Sequence, residues 1–268
     1  MTVTKSESRI APAFARLRAE GRTGLFPYLT IGYPEIDTVQ RVVPALVAGG
    51  ATMIELGIPF SDPLADGATV QHSSFEALKN GVTVAYCFQT ARELREAGVD
   101  VPFAFMGYYN PISSYGIDRF VEQCTEVGVD GLIVPDLPVG ESGELAEACR
   151  RHGRDLIFMV APTSTDALIA AVVQQASGFI YCVSLTGTTG ARSSLSDGLA
   201  AFIARVREKT DLPLAVGFGI SRPEHVTQVG KFAEAVVVGS SVIERLGDAP
   251  REEQPEVMRN YMRMLRGS

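Results

Sequence analysis

A single (β/α)8 barrel, classed α/β, is the fold this sequence predicts, and three observations lead to it. Short runs rich in β-branched and aromatic residues alternate with stretches of helical period along the chain. Eight such pairs follow one another with no linker between them. Turns that leave the strands carry most of the glycine, proline and polar residues, whereas turns that enter them read as ordinary helix stops. Strands alternating with helices imply parallel pairing through right-handed crossovers. An open doubly wound sheet is the alternative. It usually has fewer strands, and its dinucleotide-binding form needs GxGxxG after the first strand, where this chain reads TIGYP.

Residues 1–22 predict a helix ahead of the barrel, with Ile10, Phe14 and Leu17 on one face. Strands are expected at 25–30, 52–56, 101–105, 131–134, 156–160, 179–183, 214–216 and 235–238. Helices are expected between them at 38–48, 84–97, 117–127, 143–151, 167–176, 199–209 and 223–229. An extra helix at 68–80 falls between the second and third strands. The segment SLTGTTGARSSLSDG reads as a mobile lid over 184–198, because its glycines and hydroxyls suit a loop that orders over a ligand. A slack surface loop would have the same composition. The whole of 1–268 is thus expected to be one domain.

At 268 residues and 46% apolar the chain can build a sizeable core. A net charge of −7 with no basic run argues against nucleic acid as a partner. No apolar run is long enough to span a bilayer, and the charged N-terminus is no signal peptide. Cys87, Cys124, Cys149 and Cys182 form no CxxC pair, so reduced, buried thiols in a cytoplasmic protein are expected.

Function should lie at the C-terminal mouth of the barrel. The last two strands run through glycine into helix starts, as LAVGFGIS and VVVGSS. Glycine admits a ligand close to the backbone, and free N–H groups at a helix start favour an anion. Gly219, Gly239 and Ser240 are therefore candidates for a phosphate cradle, with Gly190 a further N–H from the lid. Ordinary turn and cap chemistry is the competing explanation.

None of the lysines, Lys5, Lys79, Lys209 and Lys231, falls at a strand's C-terminal end, which disfavours a Schiff base. His72, His152 and His225 lie in or at the ends of helices, poor positions for a metal set or a catalytic imidazole. Proton chemistry must rest on carboxylates. In ATMIELG, alternation places Met53 and Glu55 on one face and Ile54 and Leu56 on the other. If the latter pack under helices, Glu55 points inward among apolar walls, with a raised pKa suited to giving and taking a proton. Asp62 and Asp66 follow in the same stretch, ELGIPFSDPLADG. Asp66 with Gly67 could cap the next helix, or the acids could hold Mg²⁺ against a phosphate. Asp136 is the other acid near the mouth.

ELGIPFSDPLADG, MGYYNP, VPDLPVGES, TGTTGAR, GFGIS and VGSS occur in one order over nearly the whole chain and together resemble the tryptophan synthase alpha chain family. The resemblance implies retro-aldol cleavage of indole-3-glycerol phosphate to indole and glyceraldehyde 3-phosphate. It implies no cofactor or metal in this chain. Indole would pass to a pyridoxal-phosphate-dependent beta chain in an alpha2-beta2 heterotetramer. It makes Glu55 the general acid/base and Asp66 the acceptor of the indole N–H. Tyr181 and the lid residue Thr189 would support them, and Phe218 joins Gly190, Gly219, Gly239 and Ser240 on phosphate. Tyr28, Met106, Tyr108, Ile133 and Met159 would line the indole pocket, while Pro59, Phe60 and Asp62 would meet the beta chain.

Three positions depart from the family pattern. Tyr28 stands where phenylalanine is frequent, Thr188 where valine is usual, and Leu185 where some members carry a basic residue. Three rival readings stand beside it: a same-fold, stand-alone indole-releasing lyase, a non-catalytic phosphate-sensing barrel or purely allosteric subunit, and an Mg²⁺-dependent phosphosugar enzyme using the same carboxylates.

Overall fold

The computed structural model describes residues 8–183, 197–217 and 219–267. Within them, eight parallel strands close into a barrel whose order follows the sequence. Helix α1 (Ile10–Glu20) precedes β1 (Gly24–Thr30), and α2 (Thr38–Gly49) leads to β2 (Ile54–Gly57). Two helices, α3 (Ala68–Lys79) and α4 (Val84–Glu96), separate β2 from β3 (Phe103–Met106), so the extra helix expected after the second strand is present. There follow α5 (Tyr109–Tyr115), α6 (Ile117–Glu126), β4 (Gly131–Ile133), a 3-10 turn at Val139–Glu141, α7 (Gly143–His152) and β5 (Asp155–Val160). The chain continues through α8 (Asp166–Gln175), β6 (Ile180–Val183), α9 (Asp197–Arg207), β7 (Leu214–Gly217) and α10 (Pro223–Val229). It closes with β8 (Ala235–Val238), α11 (Ser240–Asp248) and α12 (Gln254–Arg266).

Period-two alternation divides the strand residues between two cores. Ile54 and Leu56 face outward into the layer between sheet and helices. Phe26, Met53 and Phe179 face the barrel axis, where Ile10, Phe14 and Leu17 of α1 join them. The three phenylalanines meet with ring centroids 5.6 to 5.8 Å apart, Phe14 edge-on to Phe26, and form an aromatic floor. The predicted apolar face of the first helix is therefore the plug of the barrel.

Beneath that floor the buried Asp130 carboxylate is fully served. Its Oδ1 accepts from the Arg9 backbone N–H at 3.0 Å and from Arg9 Nη1 at 3.1 Å. Its Oδ2 accepts from Arg95 Nη2 at 2.8 Å and the Phe103 N–H at 2.9 Å. A buried charge with this many donors is a structural fastening, here between α1, α4 and β3.

Two helices go beyond the sequence expectation. MGYYNPISSYG reads as a turn because Asn-Pro marks turns. The proline instead falls in the first turn of α5, where its missing N–H costs nothing. Helix α12 puts Met258, Tyr261, Met262 and Leu265 on one buried face and packs on α2. The two helices approach closely at Gly49, where a Cβ would lie 2.6 Å from the Arg259 carbonyl oxygen. The expected helix-stop glycines Gly128 and Gly153 do adopt positive φ, 78° and 64°. All four cysteines are free and buried, and burial pushes the Cys149 and Cys182 thiols up to about 12. Among the described residues no helix is long and apolar enough to cross a membrane.

Candidate active site

The mouth of the barrel holds a carboxylate treated in the opposite way to Asp130. Glu55 lies in β2 opposite Tyr28 of β1 and Ala104 of β3, with 0% of its surface exposed. Neither carboxylate oxygen has a hydrogen-bond partner. Burial alone raises its pKa to about 8. A group so placed is protonated at neutral pH, costs stability, and is poised to exchange its proton.

Asp66 lies on the loop between β2 and α3, half-buried. Burial raises its pKa to about 6, and a hydrogen bond from the Tyr108 hydroxyl opposes that rise. The same hydroxyl accepts from the Ala65 N–H at 2.9 Å, which fixes the loop against the β3 end. The expected capping role of Asp66 is not observed: Gly67 is the N-cap of α3 and no side chain caps it. Asp66 is thereby left to the pocket. Asp136 is occupied, because its Oδ1 accepts from the Tyr109 N–H at 2.9 Å.

Tyr181 is buried on β6, in one apolar cluster with Ile133, Met106 and Met159. Burial and then the charge of Glu55 suppress its ionisation. Tyr28 is buried beside Glu55, its hydroxyl receiving a hydrogen bond from Thr30 Oγ1 at 3.3 Å. The structure thus gathers Glu55, Tyr28, Tyr181, Met106, Ile133 and Met159 around the barrel axis, with Asp66 and Tyr108 above them. Two glycines that sequence reasoning left without a role make the room. A Cβ at Gly57 would lie 2.2 Å from the Tyr28 hydroxyl, and one at Gly217 would lie 2.8 Å from the Tyr181 hydroxyl. Their signal in the sequence is glycine at a strand's last position, in IELG and LAVG.

At the β7 and β8 ends, Gly219 is exposed with φ +46°, and Gly239 is the N-cap of α11 with Ser240 in its first turn. The two loops are braced together: Ser241 Oγ donates to the Ile220 carbonyl at 2.9 Å, and the Tyr261 hydroxyl donates to Ser241 Oγ at 2.7 Å. Unpaired N–H groups at that helix start suit an anion. Thr189, Gly190 and Phe218, with Leu185, Thr188 and most of the expected lid, lie outside the described residues.

On the outer rim Pro59 is buried, Phe60 half-buried and Asp62 exposed. Leu64 is 91% exposed and Phe75 59%. Phe75 lines a groove of about 360 Å³ together with Phe60, Pro63 and His72 among others. Among the described residues no three His, Cys, Asp or Glu side chains converge as metal ligands.

The closed parallel barrel, with an aromatic-lined mouth that holds two carboxyl groups of raised pKa, defines the chain as a (β/α)8-barrel protein. A model of the tryptophan synthase alpha chain family matches residues 14–266. The tryptophan synthase alpha chain of Roseiflexus sp. (strain RS-1) is 52% identical over 260 residues, covering 97% of this chain and 100% of that protein. The alpha chain of Chloroflexus aurantiacus is 50% identical over 258 residues, covering 96% and 97%. Tryptophan synthase subunit alpha from Legionella pneumophila superposes with a TM-score of 0.89 at 33% identity, covering 98% of each chain. The chain belongs to the tryptophan synthase alpha chain family. It is accordingly a carbon–carbon lyase of tryptophan biosynthesis that cleaves indole-3-glycerol phosphate.

Proposed function

We propose that Glu55 and Asp66 carry this cleavage, and that the observation supporting them is the unpartnered, fully buried Glu55 carboxyl beside the aromatic pocket. Protonated at neutral pH, Glu55 gives its proton to indole C3, which turns the ring into an electron sink. The resulting carboxylate takes the proton of the side-chain hydroxyl, and the C–C bond breaks to leave indole and glyceraldehyde 3-phosphate. Such a group typically contributes ~10²–10⁴ in rate. Asp66, ionised above about 6, accepts the indole N–H and stabilises the positive charge developing there.

Tyr28, Met106, Tyr108, Ile133 and Met159 hold the indole, with Tyr181 over Glu55. Gly219, Gly239 and Ser240 cradle the phosphate together with Gly190 and Phe218, and Thr189 bonds Asp66 as the 184–198 lid closes. The chain acts as one domain over 1–268, with 1–22 leading into the barrel. It needs no cofactor or metal of its own, since proton transfer alone balances the reaction. Its partner is a pyridoxal-phosphate-dependent beta chain in an alpha2-beta2 heterotetramer, in the cytoplasm, with no role for nucleic acid or membrane. The groove lined by Phe60, Pro63 and the exposed Phe75, on the same loop-and-helix segment as the exposed Leu64 and Asp62, supports that docking face, since exposed apolar groups at a groove suit a protein partner.

One assay tests the whole. Purified chain receives indole-3-glycerol phosphate with EDTA, with and without a pyridoxal-phosphate beta partner, and indole is followed. Indole release that survives EDTA and rises with the partner is the expected result. No indole under any condition would sink the proposed site, and loss on chelation would favour the Mg²⁺ reading.

A further inference from the structure

The loop that carries Asp66 is fastened from two directions. At the β3 end the Tyr108 hydroxyl accepts the Ala65 N–H at 2.9 Å. From α3 the Gln71 side chain reaches back, and its Nε2 donates to the Asp66 carbonyl at 2.9 Å and to the Pro63 carbonyl at 3.3 Å. Two carbonyls on one side of the amide require its nitrogen there, and the two protons serve one each. Among the described residues no other side chain bonds the backbone of residues 63–66.

Those two carbonyls are the ends of one turn. The Asp66 N–H donates to the Pro63 carbonyl at 3.0 Å, so the segment closes on itself. Asp66 thus has both its N–H and its carbonyl bonded. That fixes the backbone on either side of its Cα, and with it the direction in which the carboxyl leaves. An N-cap side chain ordinarily ties a loop to a helix start. Gly67 has none to offer. Gln71 lies one turn into α3, its own N–H donating to the Gly67 carbonyl at 2.9 Å, and supplies the tie instead.

The base of this clamp is rigid. Ser73 of α3 has its Oγ 2.6 Å from Thr30 Oγ1 on β1, and Thr30 Oγ1 donates to the Tyr28 hydroxyl at 3.3 Å. Thr30 and Ser73 are 1% and 0% exposed, so water does not compete for the bond between them. The Tyr28–Thr30–Ser73 chain pins α3 to the pocket wall close to Gln71. Gln71 also lines the rim groove beside Phe60 and Phe75.

We propose that Gln71 is a positioning residue for the cleavage, holding the Pro63–Asp66 turn so that the Asp66 carboxyl stays at the indole nitrogen. An occupant of the rim groove meets this amide directly, so groove and pocket share one hydrogen-bonded support. The proposal rests on the role given to Asp66, yet one of its readouts needs no turnover.

Gln71→Met keeps the length and helix propensity of glutamine but donates nothing. Gln71→Lys keeps the propensity and restores a donor of sufficient reach. Asp66 stabilises charge that develops only in the transition state, so loss of its support falls on kcat. In the purified chain kcat should fall about three- to tenfold in Gln71→Met, with KM for indole-3-glycerol phosphate within about twofold of native. Gln71→Lys should recover most of that loss.

The Asp66 carboxyl of Gln71→Met is titrated in parallel by carbon-13 NMR without substrate. Among the described residues the titratable groups facing it are Tyr108 at the β3 end, Tyr28 from β1 and Tyr181 from β6, all held neutral by burial. Burial is what raises Asp66 to about 6. A turn released from Gln71 lets water reach the carboxyl. The midpoint should therefore fall by about 0.5–1 pH unit, and the acid limb of kcat/KM should follow it.

A merely structural role, filling the groove or supporting the helix, would leave the two variants alike and the midpoint in place. Equal turnover in Gln71→Met and Gln71→Lys, a loss carried by KM, or an unmoved midpoint would overturn the proposal. Native turnover in Asp66→Asn would refute the role of Asp66 instead, and the midpoint in Gln71→Met would still test the clamp.

Discussion

Phe60 stacks on Tyr108 with ring centroids 5.2 Å apart and planes 28° from parallel. The hydroxyl end of the same tyrosine bonds Asp66. A residue on the rim loop and a carboxyl group in the pocket are thus joined through one rigid ring. If the partner docks on Phe60 as proposed, this ring is a route by which it would act on Asp66.

Tyr108→Phe keeps the stack and removes the bond. That bond lowers the Asp66 pKa, so its loss should raise it. The acid limb of kcat/KM moves to higher pH and turnover at neutral pH falls several-fold. An unmoved acid limb would count against the link.

The pH–rate profile of the native chain should be bell-shaped. Asp66 must be ionised, which sets an acid limb near 6, and Glu55 must begin protonated, which sets an alkaline limb near 8. The optimum falls between them. Asp66→Asn should abolish the acid limb along with most of the activity.

Glu55→Gln should leave phosphate affinity intact and reduce turnover by ~10²-fold or more. It should also change stability with a defined sign. The folded pKa of Glu55 is raised from 4.5 to about 8. Between these values the folded state holds a proton that the unfolded state has lost. Native stability attributable to Glu55 therefore falls as pH rises through this window, by about 1.4 kcal/mol per pH unit at most, and levels off above it. Urea unfolding of both proteins at pH 5 and pH 8 should show glutamine gaining relative to glutamate at the higher pH. A pH-independent difference would mean that Glu55 is not held neutral.

Gly217→Ala places a methyl 2.8 Å from the Tyr181 hydroxyl and 3.1 Å from its ring carbon. The expected loss is ~1–3 kcal/mol, as for other overpacked sites. Adding Tyr181→Phe removes the nearer atom and should recover part of it. Strict additivity in that double-mutant cycle would show that the tyrosine lies elsewhere.

The barrel was legible in the sequence because parallel strands under helices are short apolar runs with glycine stops, and Gly128 and Gly153 confirm the stops. Glu55 was legible through alternation alone. Helix α5 was not, since Asn-Pro speaks for a turn unless the proline lands in a first helical turn. Nor was the Tyr28–Thr30–Ser73 chain, which joins residues 43 positions apart through side chains that carry no periodic signal. The capping role expected of Asp66 failed because Asp66 precedes glycine, and the extended Gly67 starts α3 with no side-chain help.

The phenylalanine floor of Phe14, Phe26 and Phe179 has a consequence for traffic. A barrel stoppered at its base is a blind tube. An apolar product set free beside Glu55 meets packed rings below and strands on every side. Among the described residues the tube opens only upward, on the side of Tyr108 and Phe60, so the first helix, at the opposite end of the barrel, decides the direction in which such a product leaves.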